Sequence, residues 1–570
     1  MRIKIVIGAI VAGLLFLLFG LLNLQILHGR TFKELSKKNC IRILTQPGAR
    51  GRILDRHGNV LIGNRVYYDV LILPPDNDEL DNVMTTLARY LDKSAEELKA
   101  LFFRRYFAES IPVTVAENID IKKAIALEEL KWIMPNIVIQ PHPLRDYPYG
   151  RLASHVVGYL NEIDHWRLTK LRDYGYKTKD IVGFGGIEEK YDYYLRQEEG
   201  ALTVEVDHRG SFIRILGLKP PKNGKDVQLT LDIKIQKIAE DALRDSKGTV
   251  ILMNPGNGEI IAMASSPDFS PAAFIKKSDP YISGLLDDTS APFLNRAISG
   301  IYPAGSIFKP IVATAALETG KINTATTVLC TGGIHLGSQE FSCWSEHGPE
   351  NMFAALVHSC NTYFYKAGIA AGAQALHDYA IRFGLSKPTA VDLPYESTGF
   401  VPSPLWKRIH RFKSWFAGDT ANFAIGQGDL LVTPLQLARM MAVFANKGKL
   451  VTPYAVKAVS GRDISEYQKK VTRVAIKLKT IDYIRQALRS VVSEPDGTGN
   501  ILSALAVAVA GKTGTVQVSS GLPHGWFVGF FPFQNPRFVI CVFLEHGGSG
   551  QASCALAKQI IEMMNQEGLI

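Results

Sequence analysis

The chain has 570 residues, 46% of them hydrophobic and 21% charged, with a formal net charge of +10 at pH 7. That length exceeds one ordinary domain of roughly 100 to 200 residues, and the composition excludes a disordered chain or a fibrous repeat. Lys and Arg are scattered among acids rather than massed in one motif, which argues against nucleic acid as a partner; the excess suits work beside anionic lipid or an anionic wall polymer.

The first element is an uncharged run from Ile5 to Leu27, preceded by Arg2 and Lys4. Its 23 residues, each rising about 1.5 Å, exceed the roughly 30 Å hydrocarbon core of a bilayer. It lacks the small-residue cleavage site of a signal peptide, so it reads as a single membrane anchor. Basic residues also follow it, and charge alone leaves orientation open. Residues Gly48 to Asn64 hold a turn, Asp-Arg-His-Gly-Asn, between two short apolar runs, the pattern of a β-hairpin. Residues 68–225 mix strand-like and amphipathic helical stretches, such as Tyr68 to Pro74 and Leu80 to Asp92. The Gly-rich stretch Gly183 to Glu188 lacks the nucleotide-loop spacing and a preceding strand, so a turn before a helix is expected there.

Leu218 to Asp226 is the best linker, which predicts an anchor with its tail over residues 1–28, a non-catalytic α/β domain over 29–225 and a catalytic domain over 226–570. Beyond the linker, Gly248 to Pro267 forms two β-rich runs around Pro-Gly-Asn-Gly. Three further strand-like runs, Ala506 to Val518, Gly525 to Pro532 and Arg537 to Glu545, precede an amphipathic helix over Ala552 to Asn565. The expected fold class is α+β, a five-stranded antiparallel sheet flanked by helices.

The stretch Tyr302 to Pro310 sets Ser306 and Lys309 three residues apart behind Pro-Ala-Gly. A helix starting at Ser306 puts both on one face, with free N–H groups near the hydroxyl and the lysine desolvated enough to act as a neutral base. A capping serine beside a solvated lysine is the plain alternative. Two further motifs decide between them, Ser359-Cys360-Asn361 and Lys512-Thr513-Gly514, which complete the order SxxK, SxN, KTG. In this reading Ser359 relays a proton and Asn361 donates to a substrate amide. Lys512 attracts a carboxylate and helps keep Lys309 neutral. Thr513 and Gly514 let substrate approach the strand, and the N–H of Thr515 joins that of Ser306 as an oxyanion hole. Trp526 and Gln427 are candidates for the cleft walls, each with a structural alternative, core for the first and a turn for the second.

Four candidate ligands, Cys330, Cys343, His347 and Cys360, share one stretch, and Cys360 lies inside the SxN motif. Three cysteines and a histidine suit tetrahedral zinc, although a Cys330–Cys343 disulfide or free thiols fit the same spacing. Cys541 and Cys554 are expected in the core, and Cys40 is assigned no role.

With these motifs the chain resembles the class B penicillin-binding proteins over nearly its whole length. Residues Arg50 to Leu61, Arg145 to Tyr159 and Asn295 to Pro310 carry the likeness beyond the three motifs, and Gly418 to Ala442 is closer to the elongation-type enzymes of the penicillin-binding protein 2 branch than to septal ones. The resemblance implies a periplasmic D,D-transpeptidase that cross-links peptidoglycan stem peptides on nascent or lipid-linked glycan, releases D-Ala, and is acylated by β-lactams at Ser306. It implies no organic cofactor, a zinc site at comparable positions in some members, and two partners, a SEDS-type glycosyltransferase such as RodA and an MreC-type scaffold. The alternatives that share the motifs are a D,D-carboxypeptidase or β-lactamase and a β-lactam sensor. No convincing match to the deacylating glutamate loop of class A β-lactamases is found, and only a few residues precede the anchor.

Overall fold

The structure is a computed structural model that describes residues 2–74, 77–106, 112–134, 136–206, 212–275, 279–468 and 470–570. The chain forms two compact units interleaved in sequence: residues 1–51, 64–145 and 196–224 make the first, and residues 52–63, 146–195 and 225–570 the second.

The first unit begins with the apolar helix Arg2–Leu27, whose 26 residues are long and apolar enough to cross a membrane. Ile41–Gln46, Gly200–Val206 and Phe212–Lys219 form a three-stranded antiparallel sheet. Val113–Ile119 pairs antiparallel with the strand carrying Tyr68 to Ile72. Helices Asn77–Leu91, Ala95–Arg105 and Ile121–Glu129 bury Leu87, Leu98 and Leu127 in one core with Val70 and Ile72. The helices start where side chains satisfy their free N–H groups: Ser94 and Glu97 form a reciprocal capping box, and Asp120 accepts from Lys123 N at 2.9 Å.

The second unit contains the expected hairpin, with Ile53 opposite Ile62 and Leu54 opposite Val60. Asp55 closes its turn by accepting from the N–H groups of His57 and Asn59. A strand, Ile181–Phe184, does precede the Gly-rich stretch, paired with Tyr159–Glu162. With only four residues it is too short for its alternation to be visible, and Val182 is held by a small core with Ile163 and Tyr176.

Elements of this unit are numbered from α1 (Ile233–Leu243), capped by Asp232, which accepts from Lys234 N and Ile235 N. Strands β1 (Gly248–Met253), β2 (Ile260–Ser266), β3 (Ala510–Val516), β4 (His524–Phe531) and β5 (Phe538–Leu544) form the sheet, in the order β2-β1-β5-β4-β3 with every pair antiparallel. Alternate side chains go to opposite faces. Val250, Leu252, Phe527, Ile540 and Val542 pack with α1 and the C-terminal helix Gly550–Gln566, whereas Ile251, Met253, Val528, Cys541 and Phe543 join the larger core on the other face. Burial on both faces explains why these strands read as continuous apolar runs rather than as alternation. Cys541 and Cys554 are buried, as expected.

Candidate active site

The larger core positions the site through α2 (Lys309–Glu318), whose side chains from Lys309 to Ala316 are all buried. The helix starts at Lys309 rather than Ser306, because a 3-10 turn, Gly305–Phe308, comes first. That turn has about three residues per revolution, so Ser306 and Lys309 still align on one side. Lys309 N donates to Ser306 O across it. Gly305 has φ +55°, and a Cβ there would stand 2.6 Å from Val516 Cγ2, so only glycine lets the turn lie against β3.

Lys309 Nζ is completely buried and meets three oxygens: Ser359 O at 2.7 Å, Asn361 Oδ1 at 2.7 Å and Ser359 Oγ at 3.1 Å. The first two can only accept, whereas the hydroxyl can donate or accept. The amine donates to the two carbonyls, and its contact with the Ser359 hydroxyl can carry a proton in either direction. Burial pulls this amine down to about 7, against the opposing pull of the Cys343 and Cys360 sulfurs. Ser359 lies between α3 (Met352–Val357) and α4 (Asn361–Ala371) at φ +58°, a conformation uncommon for a residue with a Cβ. The turn is held by Trp344 Nε1, which donates to His358 O at 3.2 Å, and by contacts of the His358 ring to Glu350 Oε1 at 2.7 Å and Asp496 Oδ2 at 2.9 Å.

Lys512, Thr513 and Gly514 stand in β3 beside the turn. Lys512 is also fully buried and its amine is driven well below the usual lysine range, by burial first and then by Lys309. Thr513 Oγ1 donates to Thr498 Oγ1 at 2.8 Å, and Thr515 Oγ1 accepts from Gly550 N at 3.0 Å. A Cβ on Gly514 would stand 3.1 Å from Ile307 Cγ1. Ser306, Ser359, Asn361, Thr513, Gly514 and Thr515 line one cleft of about 870 Å³. Gln427 lines it too, at a turn where Gly305 N donates to Gly426 O at 2.9 Å.

Trp526 does not reach the cleft. Its ring is fully buried against Phe543, 4.2 Å between centroids, and its N–H donates to Pro303 O at 3.1 Å. Opposite Gly514 in the β3–β4 register, it supports the turn before Ser306 from within the core. Sequence reasoning missed Thr498 and Asn422, both of which line the cleft. Thr498 stands in the turn-forming stretch Pro-Asp-Gly-Thr-Gly, a local signal of a loop without chemistry of its own.

The donor atoms of Cys330, Cys343, His347 and Cys360 lie within 4.8 Å of one another, and His347 Nδ1 is 3.5 Å from Cys330 Sγ and 3.6 Å from Cys343 Sγ. Metal–sulfur bonds of about 2.3 Å and metal–nitrogen bonds of about 2.0 Å at tetrahedral angles imply edges of roughly 3.5 to 3.8 Å, so the donor set fits a thiophilic metal with small adjustment. Cys343 is held down to about 3 by the hydrogen bond from Cys360 and by backbone N–H groups, among them Asn361 N at 3.2 Å. Cys360 also caps α4, its sulfur accepting from Tyr363 N. The cluster thus shares its backbone with Ser359 and Asn361.

Residues 248–562 match the penicillin binding protein transpeptidase domain, and residues 45–229 match the penicillin-binding protein dimerisation domain. Among curated relatives, peptidoglycan D,D-transpeptidase MrdA of Acinetobacter baumannii is 33% identical over 98% of this chain and 87% of its own. Penicillin-binding protein 2 of Helicobacter pylori, solved in complex with MreC, superposes with TM-score 0.81 at 28% identity, covering 93% of this chain and 99% of that one. A chain of a peptidoglycan synthase complex that coordinates polymerization and crosslinking superposes with TM-score 0.76 at 30% identity, covering 100% of this chain and 99% of that one. With both domains matched and the SxxK, SxN and KTG motifs each contributing residues to one cleft, the chain belongs to the class B penicillin-binding proteins, in the penicillin-binding protein 2 branch.

Proposed function

We infer that the cleft performs D,D-transpeptidation on peptidoglycan stem peptides during cell elongation. Ser306 Oγ attacks the D-Ala-D-Ala carbonyl, D-Ala leaves with a proton, and an amine of a neighbouring stem takes the acyl group from the seryl ester. The observation that carries this reading is the buried amine of Lys309, hydrogen-bonded to both Ser359 and Asn361 at the cleft that Ser306 lines. Near pH 7 a large share of that amine is neutral and able to take the Ser306 proton. Ser359, 3.1 Å from it, relays the proton to the departing amine. A substrate carboxylate arriving near Lys512 would favour that lysine's charged form. The N–H groups of Ser306 and Thr515 would face the oxyanion, and Thr513 and Gln427 the peptide. β-Lactams acylate the same hydroxyl.

Zinc is the metal that the Cys330, Cys343, His347 and Cys360 set suits best, and when bound it would supply a structural cross-link. These side chains then tie the hairpin Gly333–Leu336 and Gln339–Ser342 to the turn of Ser359. The N-terminal helix supports a single-pass anchor, and the transpeptidase reading, whose substrate is the wall, puts the catalytic unit in the periplasm. The relatives' complexes support an MreC-type scaffold and a SEDS polymerase such as RodA as partners.

The test supplies uncross-linked nascent strands to the full chain and measures D-Ala release and cross-linked dimer. Equal amounts of both, lost together in Ser306→Ala, support transpeptidation. D-Ala without cross-links would make the protein a carboxypeptidase, and rapid turnover of penicillin a β-lactamase.

A further inference from the structure

The segment Pro404 to Phe416 holds four cations, Lys407, Arg408, Arg411 and Lys413, and no acid. It comprises α5 (Pro404–Arg411) and the stretch leading to α6 (Ala417–Ala424). Lys407 bonds Asp419 Oδ2 at 2.5 Å and Arg411 bonds Asp429 at 3.1 Å, which fastens the segment to the second unit. Arg408 and Lys413 have no ion pair among the described residues.

Two aromatic rings accompany these cations into solvent, Phe412 at 89% exposure and Phe416 at 66%. Phe412 follows the last residue of α5 with φ +53°, the left-handed conformation in which helices commonly end, here on a residue with a bulky side chain. A ring this exposed contributes little burial to folding, and beside two cations without ion pairs among the described residues it points to an external partner.

The segment adjoins the cleft. Asp419, which accepts from Lys407, also accepts from Phe416 N at 2.8 Å, and one turn further on Asn422 lines the cleft. On the same helix, a Cβ on Gly418 would stand 2.9 Å from the ring of Phe341, which lines the cleft from the hairpin side.

We propose that Arg408, Phe412 and Lys413 form a docking surface for the glycan–peptide polymer whose stem enters the cleft. The proposal rests on the transpeptidase reading: a stem peptide is covalently carried by a chain of sugars that must lie outside the cleft. Such a chain presents carboxylates for the free cations and apolar sugar faces for the exposed ring. The occupant is thus a wall-polymer strand, recognised by charge and ring contact at the cleft's edge rather than at the reacting bond.

The experiment compares the full chain in nanodiscs with the variant Arg408→Gln/Phe412→Ser/Lys413→Gln. Binding is measured to purified soluble glycan strands bearing uncross-linked pentapeptides, and separately to vesicles rich in phosphatidylglycerol. The expected result is an apparent Kd for the strands raised about tenfold or more, with a weaker salt dependence and an unchanged unfolding midpoint. Equal strand affinity in the two proteins would overturn the proposal, and so would a loss confined to the vesicles, which would make the segment a lipid contact. Fluorescent penicillin labelling of the wild type at Ser306 is the separate check on the catalytic reading. If the wild type is labelled while strand affinity is insensitive to the variant, only the docking proposal fails.

Discussion

Two cationic regions of the second unit behave in opposite ways. At the cleft, Lys309 and Lys512 are fully buried, and burial drives both amines toward the neutral form. In the segment Pro404 to Phe416, Arg408 and Lys413 stand in water. The lesson is that solvent access decides whether a lysine serves as a proton acceptor or as a docking charge. The first use needs a rigid surrounding fold, whereas the second needs little more than a foothold such as the Lys407–Asp419 pair.

The sharpest way to break this contrast is Lys309→Arg, which keeps a cation that cannot shed its proton. Penicillin acylation of Ser306 is expected to fall by about 10² to 10⁴, and a rate near wild type would remove Lys309 as the base. Trp526→Ala tests the core beneath the turn. A loss of about 3 to 5 kcal/mol in denaturant unfolding is expected, and a smaller loss would mean that the ring carries little of that support. For Cys343→Ser in the full chain, bound zinc is expected to fall well below one per chain and the acylation rate to drop by about tenfold. An undiminished rate in metal-free protein would separate the cluster from the chemistry.

Stability as a function of pH gives a subtler test. Because the folded amine of Lys309 lies at about 7 and the ordinary value is 10.5, the unfolded chain binds more protons between those limits. Unfolding free energy from this group therefore rises with pH across that window and is lowest below it. Lys309→Met should gain stability relative to wild type as pH falls from 10.5 toward 7, measured as the difference in Tm. Arg408→Gln/Lys413→Gln should differ from wild type by less than about 0.5 kcal/mol.

Much of the site was legible because its motifs are local. Ser306 and Lys309 share one turn, Ser359 and Asn361 flank one residue, and Lys512 to Gly514 sit on one strand, so short spacing carries the geometry. The sheet was legible for a related reason, since strands buried on both faces leave long apolar runs between clear turns. What escaped depends on distant residues. Thr498 reaches the cleft only because its hydroxyl meets Thr513, and Trp526 turns inward because Phe543 and Pro303 O receive it. The 3-10 turn at Ser306 follows from the approach of Gly305 to Val516 and Gly426, which no local propensity records. Interleaving of the two units is equally non-local, because Arg52 joins the second unit through Asp226, 174 residues away.

The proposed role of Lys309 as the base for Ser306 rests on its burial. Its most direct test is the rate of Ser306 acylation by a fluorescent penicillin as a function of pH in the full chain, with Ser306→Ala as the blank. If the Lys309 amine is that base, the rate rises with pH through about 7 and then levels off. A rate that is flat, or that falls, across that range would contradict it.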